Sequence, residues 1–314
     1  MIAVSLVGRI GNQLFIYAAA EAIRQKRGRN EKIVFYDESI LNAGWKNSLL
    51  DYPLENVEYV HDMKNRSLIT LFQAYIASRS YRLFKIYTPD KRYQFEKKMQ
   101  PIWNHFGTIS CCNGYVDIQT PKTYNVWMSG YFQSEKYFAE IIPLLRNKFL
   151  YRLPLLRNKY YVQQIENRNS ICVSIKVEHN ADNPLYDVCG REYYEKAIKY
   201  MQKHVENPLF FICSDNVQYV LDHYIDAQKY DCICQEKGLQ VSDSLAIMAT
   251  CKHFVIGNTS FGWWAQLLSS NPEKIVVGPN HWFRDEKMPV DIYGKDWHFI
   301  DVEDYIEKTR KNYE

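Results

Sequence analysis

The chain has 314 residues, of which 46% are hydrophobic, and this is enough for two domains with sizeable cores. Charged residues make up 24% and the formal net charge is only +3. A nucleic-acid-binding protein usually carries a strong basic excess, so we expect no nucleic-acid partner. The mildly basic balance is compatible with a site for an anionic small molecule.

The eight cysteines form no C-x-x-C pair, and no histidine lies beside them at zinc-ligand spacing. We therefore interpret them as reduced thiols and expect a cytoplasmic protein. The N-terminal MIAVSLVGRIGNQ lacks the basic and long apolar segments of a signal peptide. Because no window of about 18 apolar residues predicts a membrane span, any work at a membrane is expected at its inner face.

The first elements along the chain alternate between strand and helix. Ile2–Val7 is an apolar run that predicts a strand, and it ends at a turn with Gly8 and Gly11. Small apolar residues between Gln13 and Gln25 favour a helix, and Lys32–Tyr36 predicts the next strand. This order is typical of an α/β domain with a parallel sheet.

Residues 62 to about 100 differ in composition and are expected to form a helical insertion in the first domain. Leu68–Tyr87 has apolar residues at helical spacing and includes the basic residues Arg79, Arg82 and Lys85. One interpretation is an amphipathic element, with peripheral membrane contact through residues 68–87. The other, which we favour, is an ordinary helical insertion packed on its own domain.

The chain becomes basic and irregular between Lys148 and Asn158, so we predict two α/β domains, residues 1–155 and 156–314. A strand is expected before this boundary at Asn125–Gly130. The second half alternates again, with predicted strands at Ser170–Val177, Leu209–Cys213, His253–Gly257 and Lys274–Val277 and predicted helices at Glu192–His204, Asn216–Tyr224, Ser242–Thr250, Phe261–Ser269 and Asp301–Lys311.

Parallel strands place ligand-binding loops at their carboxyl ends, and a cleft between two such domains suits two substrates that must meet. In the stretch Gly8–Gln13, glycines allow close approach of the backbone, while Asn12 and Gln13 could bind sugar hydroxyls or phosphate. Asp215 could accept hydrogen bonds from a base edge, but Ser214 or Asp215 could equally cap the next helix.

The stretch Asn258–Trp264 follows another predicted strand and opens a helix. The hydroxyls of Thr259 and Ser260, with the first amides of the helix, could form an anion cradle. Helix capping alone is the alternative.

Together these stretches resemble the bacterial α-1,2-fucosyltransferases, glycosyltransferase family 11, over nearly the full length. Gly8–Ala20 resembles the opening motif of the family, with Ile10 at a position of leucine, and Ser129–Phe138 resembles its middle motif. Tyr193–Ile198 and Ser214–Asp215 follow. The most specific block lies within Asp243–Phe283 and includes Asn258–Trp264.

This resemblance implies a GT-B-type fold, in which an N-terminal acceptor-side domain and a C-terminal nucleotide-sugar domain, both Rossmann-like, face a cleft. It implies GDP-fucose as donor, a galactoside-type glycan acceptor in surface polysaccharide synthesis, inversion at the anomeric carbon and no cofactor or metal. The lack of an Asp-x-Asp motif agrees with metal-free chemistry. The residues that correspond to the donor site are Gly11, Asn12, Asp215, Asn258, Thr259, Ser260 and Phe261, and Asn12 and Gln13 are expected near the acceptor.

One motif departs from the family pattern. The family carries histidine-x-arginine-arginine-glycine-aspartate after the strand that opens domain two, and the resemblance implies that its first arginine holds the donor diphosphate. Here Lys176 replaces the histidine, Glu178 the first arginine, His179 the second and Ala181 the aspartate. A like charge at about 4 Å costs roughly 4 kcal/mol at an effective dielectric constant near 20.

Several arrangements would accommodate Glu178. Lys176 could pair with it across one face of the predicted strand and take over part of the phosphate role. Arg9 or Arg191 could reach in from a loop. Glu178 or His179 could instead act as a general base, so Lys176, Glu178 and His179 are the candidate catalytic residues. A different nucleotide sugar, or a non-catalytic glycan- or nucleotide-binding homologue, remains an alternative function.

Overall fold

The computed structural model describes residues 1–62, 70–76, 88–178, 180 and 183–312. The chain forms two compact units: unit 1 is Met1–Lys148 with Lys287–Ile292, and unit 2 is Phe149–Glu286 with Tyr293–Glu314. The division therefore comes before the expected boundary at residue 155, and a short segment of the second half returns to unit 1.

Unit 1 contains a five-stranded sheet whose order is β3-β2-β1-β5-β4. All neighbouring strands are parallel. The strands are β1 (Ile2–Ser5), β2 (Ile33–Tyr36), β3 (Val57–Val60), β4 (Thr108–Cys111) and β5 (Val126–Gly130). Because they run in one direction, their carboxyl ends lie along one edge of the sheet, where ligands bind in folds of this kind.

The helices of unit 1 follow the strands. They are α1 (Ile10–Arg27), α2 (Glu38–Asn42), α3 (70–76) and α4 (Pro89–His105), and α5 (Ile142–Phe149) lies at the division. The apolar run of α1 is buried on all sides, as its small residues led us to expect. Of the predicted insertion, α3 and α4 are described, whereas most of the Leu68–Tyr87 segment, including Arg79, Arg82 and Lys85, lies outside the described residues.

Unit 2 contains a six-stranded parallel sheet in the order β11-β10-β9-β6-β7-β8. Its strands are β6 (Asn169–Ile175), β7 (Pro208–Ser214), β8 (Cys232–Cys234), β9 (His253–Ile256), β10 (Val276–Pro279) and β11 (His298–Ile300). Its helices are α6 (Leu153–Leu156), α7 (Tyr160–Asn167), α8 (Arg191–His204), α9 (Val217–His223), α10 (Val241–Met248), α11 (Ser260–Leu268) and α12 (Glu303–Lys308). Two parallel sheets with interleaved helices confirm the expected α/β class.

Across the described ranges, no helix combines the length and apolar character that a bilayer crossing requires.

The packing of α4 against β4 buries a carboxyl group. Glu96 is 0% exposed, and both of its side-chain oxygens accept from the backbone N–H of Cys112 at 3.2 Å. Burial raises the pKa of Glu96 to about 7, although the hydrogen bonds from Cys112 and the charge of Arg92 act in the opposite direction. The folded protein therefore holds a proton on Glu96 at pH values where the unfolded chain has released it.

Glu96→Gln is expected to change how stability depends on pH. With an ordinary pKa of 4.5 in the unfolded chain and about 7 in the fold, protonated Glu96 favours the folded state fully below pH 4.5. That contribution, about 3 kcal/mol, is lost as pH rises towards 7. Urea unfolding between pH 4.5 and 8 should show this loss in the parent protein but not in the variant. Equal pH dependence in the two proteins would contradict the assignment.

Candidate functional site

The candidate site of unit 2 lies where the order of the strands reverses. From β6 the chain continues to β7 and β8 on one side, and it then crosses to β9, β10 and β11 on the other. In open parallel sheets, ligands bind outside the carboxyl ends of the two strands that flank such a reversal. These strands are β6 and β9, and the predicted stretches beginning at Lys176 and Asn258 follow them directly.

Asp215, which follows β7, organises the loop after β6. Its carboxylate accepts from the ammonium group of Lys176, from the backbone N–H of Val177 at 2.9 Å and from that of Glu178 at 3.2 Å. Lys176 and Asp215 thus form an ion pair whose side chains are only 24% and 21% exposed. The carboxylate holds the loop mainly through backbone groups, so this anchor does not depend on the residue type at position 178.

The expected pairing of Lys176 with Glu178 is wrong, because the partner of Lys176 is Asp215. The prediction assumed a strand that reached Val177, whereas β6 ends at Ile175. Beyond the strand, residues two apart no longer share a face, and Glu178 lies in an exposed turn.

The other groups considered near Glu178 differ in position. Arg191 is the first residue of α8 and pairs with Glu195 at 2.8 Å, so it does not reach in from a loop. Arg9 is the N-cap residue of α1 in unit 1, and its role towards position 178 stays a prediction. His179, with Ala181 and Asp182, lies outside the described residues, and its proposed catalytic role stays a prediction.

The N-terminus of α11 supplies hydrogen-bond donors at the same edge of the sheet. Thr259 caps this helix, because its hydroxyl accepts from the backbone N–H of Gly262 at 3.1 Å. The backbone N–H groups of Ser260 and Phe261 and the Ser260 hydroxyl make no hydrogen bond to any other described residue. The capping interpretation is therefore confirmed at Thr259. The anion cradle stays a prediction, for which the amides of Ser260 and Phe261 and the Ser260 hydroxyl are available.

Asn258 has a structural position beside these donors. Its side chain is 6% exposed and donates to the backbone carbonyls of Tyr186 at 2.8 Å and Trp282 at 3.0 Å. Its side-chain oxygen accepts from Asn180 at 3.4 Å. Asn258 therefore ties together the loops that surround a small pocket, whose lining also includes Lys176 and Thr259.

In unit 1 the strand order reverses between β1 and β5, and the Gly8–Gln13 stretch lies at this point. Gly8 has a φ of +70°, and a Cβ atom there would lie 2.2 Å from the side-chain nitrogen of Asn12. The side-chain oxygen of Asn12 accepts from Gln133, after β5, at 2.7 Å. Asn12 is thus fixed at the reversal point, and Gly11 is buried in the first turn of α1.

Gln13 does not have the acceptor-binding position that was expected. The side chain is 0% exposed, and its amide group donates to the backbone carbonyls of Gly8 and Lys46, both at 3.0 Å. Its oxygen accepts from the backbone N–H of Ser48 at 2.8 Å. A side chain without exposed surface cannot contact an acceptor, so Gln13 serves to join two loops.

Sequence reasoning missed two residues at the same edge of unit 1, Asp37 after β2 and His61 after β3. The two side chains are 2.8 Å apart. The sequence carried no signal for this pair, because the proximity of the two residues depends on the parallel pairing of β2 with β3. Within the ranges the structure describes, no group of three or more His, Cys, Asp or Glu is arranged to hold a metal ion.

Comparisons with known proteins match one family over most of the chain. The model of the family described as Glycosyl transferase family 11 matches residues 1–301. The O-antigen biosynthesis glycosyltransferase WbnK of Escherichia coli is 25% identical over 298 residues, which cover 88% of this chain and 93% of that protein. An alpha-1,2-colitosyltransferase of Escherichia coli is 25% identical over 291 residues, 90% of this chain and 92% of that protein.

Among solved structures, that of NodZ alpha-1,6-fucosyltransferase co-crystallized with GDP is similar to this chain, and NodZ is from Bradyrhizobium. The TM-score is 0.50 at 14% identity, and the match covers 88% of this chain and 94% of that chain. At this identity the likeness concerns the fold, which is of the GT-B type.

Two substitutions test the structural position of Asn258. Asn258→Ala leaves the buried carbonyl of Trp282 and the partly buried carbonyl of Tyr186 without their donor, and we expect a loss of about 2–3 kcal/mol in the free energy of unfolding. Asn258→Asp keeps the shape but places a carboxylate against the same carbonyls, so its loss at pH 7 should be larger. Urea unfolding measures both.

The matched control is Asn167→Asp, the same substitution at an exposed residue of unit 2. It should change the free energy of unfolding by no more than about 0.5 kcal/mol. If Asn258→Asp were as mild as this control, the tie between the loops would not contribute to stability.

Proposed function

We propose, since the chain belongs to glycosyl transferase family 11, that it transfers fucose or a related sugar from GDP-fucose to a galactoside-type glycan in surface polysaccharide synthesis. The family match over residues 1–301, which include both strand-order reversals, is the observation that carries this proposal. The polysaccharide is supported by the O-antigen relative, and the transfer of a related sugar by the colitosyltransferase. NodZ, which has a similar fold, was co-crystallized with GDP.

We propose that the donor diphosphate binds at the N-terminus of α11. The open amides of Ser260 and Phe261 and the Ser260 hydroxyl are uncharged donors, and the helix dipole favours an anion there. Lys176 is a weaker candidate than the sequence suggested, because Asp215 already balances its charge. Glu178 adds a negative charge, so these uncharged donors would carry most of the stabilisation of the leaving diphosphate.

Inversion at the anomeric carbon and independence from metal belong to the same proposal. Nuclear magnetic resonance of the product should show the anomeric configuration opposite to that of the donor. Millimolar EDTA should leave the transfer rate unchanged. A product that retains the donor configuration would reject the inverting mechanism, and inhibition by EDTA that added Mg²⁺ reverses would reject the metal-free one.

The phosphate contact of α11 can be tested by a pair of substitutions at one position. Ser260 is the first residue of α11, and Thr259 before it has an extended backbone. Proline is favoured at the first position of a helix and requires an extended residue before it. Ser260→Pro therefore removes the backbone N–H without breaking the helix. Ser260→Ala removes only the hydroxyl. By calorimetry, we expect GDP to bind at least about tenfold more weakly to the proline variant than to the alanine variant, since a hydrogen bond to a charged group contributes about 1.5–3 kcal/mol. Equal affinities would exclude this amide.

The effect of Glu178 is tested by restoring the family arginine. Glu178→Arg should tighten GDP binding several-fold, because a repulsive charge is replaced by a phosphate ligand. Glu206→Arg is the matched control, since this exposed glutamate precedes β7 and therefore lies at the opposite end of the sheet. If both substitutions had the same effect, general charge rather than local contact would be responsible.

The charge of Lys176 is tested separately by Lys176→Ala. If this ammonium contacts the diphosphate, GDP affinity should fall at least several-fold. An unchanged affinity would leave Lys176 as the partner of Asp215 alone.

A panel of nucleotides decides between the alternatives. Tighter binding of another nucleoside diphosphate than of GDP would indicate a different nucleotide sugar. GDP binding without transfer to any glycan would indicate a non-catalytic homologue, and no binding of any nucleotide would contradict transfer altogether.

A further inference from the structure

A histidine–aspartate pair lies at the carboxyl edge of the sheet in unit 1. Tyr36 and Val60 are the last paired residues of β2 and β3, so Asp37 and His61 leave the two strands side by side. The Nδ1 atom of His61 lies 2.8 Å from Oδ1 of Asp37. Asp37 is 0% exposed, whereas the side chain of His61 is 69% exposed. One imidazole nitrogen is therefore held by a buried carboxylate while the ring itself faces solvent.

The carboxylate of Asp37 is fixed by more than the histidine. Its second oxygen accepts from the side chain of Asn47 at 2.9 Å, and Asn47 is itself buried. The residues on either side of Asn47, Lys46 and Ser48, are the two that Gln13 binds through their backbones. The pair is thus built on the same scaffold that positions Asn12.

This arrangement selects the tautomer of the neutral imidazole. The buried carboxylate accepts a hydrogen bond from the Nδ1–H of neutral His61, which leaves Nε2 as the basic nitrogen. Among the described residues, Nε2 has no hydrogen-bond partner. A histidine oriented in this way by a carboxylate is suited to remove a proton from a hydroxyl group.

The pair lies at the edge of the sheet where ligands bind in folds of this kind. Asp37 and His61 lie at the edge where all five parallel strands of unit 1 end, and Asn12 and Gln133 lie at the reversal point of the same edge. A structural role for the pair, as counterion for a buried aspartate, would not require an exposed imidazole.

We propose that His61 is the general base of the transfer reaction and that Asp37 is its positioning residue. This inference rests on the function proposed above. The O–H bond of the acceptor breaks and its proton goes to Nε2 of His61. The acceptor oxygen forms a bond to the anomeric carbon while the bond from that carbon to the phosphate oxygen breaks, and its electron pair leaves with GDP. The imidazolium then returns its proton to water.

His61→Asn separates the base from a structural role. The asparagine amide can take the place of Nδ1 and still donate to Asp37, but it has no counterpart of Nε2. We expect kcat to fall at least about 100-fold, the lower end of the effect of a general base. KM for the glycan and the affinity for GDP should stay within about twofold. His105→Asn is the matched control, because this exposed histidine ends α4 and precedes β4, at the opposite edge of the sheet.

A small-molecule base provides a second measurement. In His61→Ala, added imidazole should restore part of the lost kcat, whereas it should not raise the rate of the parent enzyme. In Asp37→Asn, kcat should fall at least tenfold with KM and the unfolding temperature nearly unchanged, because an amide favours the wrong imidazole tautomer. A parallel fall in unfolding temperature would assign Asp37 to structure only.

The outcomes separate this inference from the proposed function. Full activity of His61→Asn beside an active parent would overturn the role of His61 and leave the transferase function intact. If the parent transfers sugar from no nucleotide donor, the proposed function fails, and the role of His61 fails with it.

Discussion

The polar edge of unit 1 depends on one buried amide, that of Gln13. A buried amide without partners would cost several kcal/mol, so its three hydrogen bonds to Gly8, Lys46 and Ser48 are required once the side chain is enclosed. These bonds fix the turn after β1 and the loop that carries Asn47. Asn12, adjacent to Gln13, is thereby held against Gln133, and Asn47 is held against Asp37. One glutamine thus connects groups that follow three different strands, β1, β2 and β5.

In unit 2 a carboxylate, rather than an amide, holds the loop at the end of the central strand. Asp215 accepts from the ammonium of Lys176 and from two backbone N–H groups, and so shapes the loop after β6. Partly buried charges must be balanced, and the pair of Asp215 and Lys176 balances itself. The arginine of the family motif is absent from this loop. Asp215 anchors the backbone of the loop whatever residue occupies position 178. This explains how Glu178 can occupy the position without loss of the surrounding fold.

The sequence predicted what local chemistry determines. The strands β1, β2 and β9, the helix α11 and its cap at Thr259 all follow from apolar runs and capping residues within a few positions. Four strands were missed, β3, β4, β8 and β11. Of these, β3 and β8 have no continuous buried run, whereas β4 is buried throughout. A four-residue segment becomes a strand through its neighbour in the sheet, and that neighbour is distant in sequence.

The sequence correctly placed the candidate residues at the ends of strands, but it did not predict the contacts that their side chains make. Gln13 and Asn258 have the residue types of ligand-binding groups, yet their amides are used by backbone carbonyls. Only the burial of each side chain distinguishes the two roles, and burial depends on tertiary packing. The pair of Asp37 and His61 depends on the parallel register of β2 with β3, which brings together residues 24 positions apart. No spacing rule along the chain contains that information.

The two units offer chemically different groups for the two halves of the proposed reaction. In that proposal the leaving diphosphate gains negative charge and would be bound by the uncharged amides of α11, which need no counterion of their own. In the same proposal the acceptor hydroxyl gives its proton to Nε2 of His61, whose Nδ1 is held by Asp37. A cationic phosphate ligand in unit 2 would need a counterion in the absence of the donor. Asp215 is already paired with Lys176. The uncharged donors of unit 2 and the histidine–aspartate pair of unit 1 are therefore compatible parts of one proposed reaction. Neither requires the arginine of the family motif.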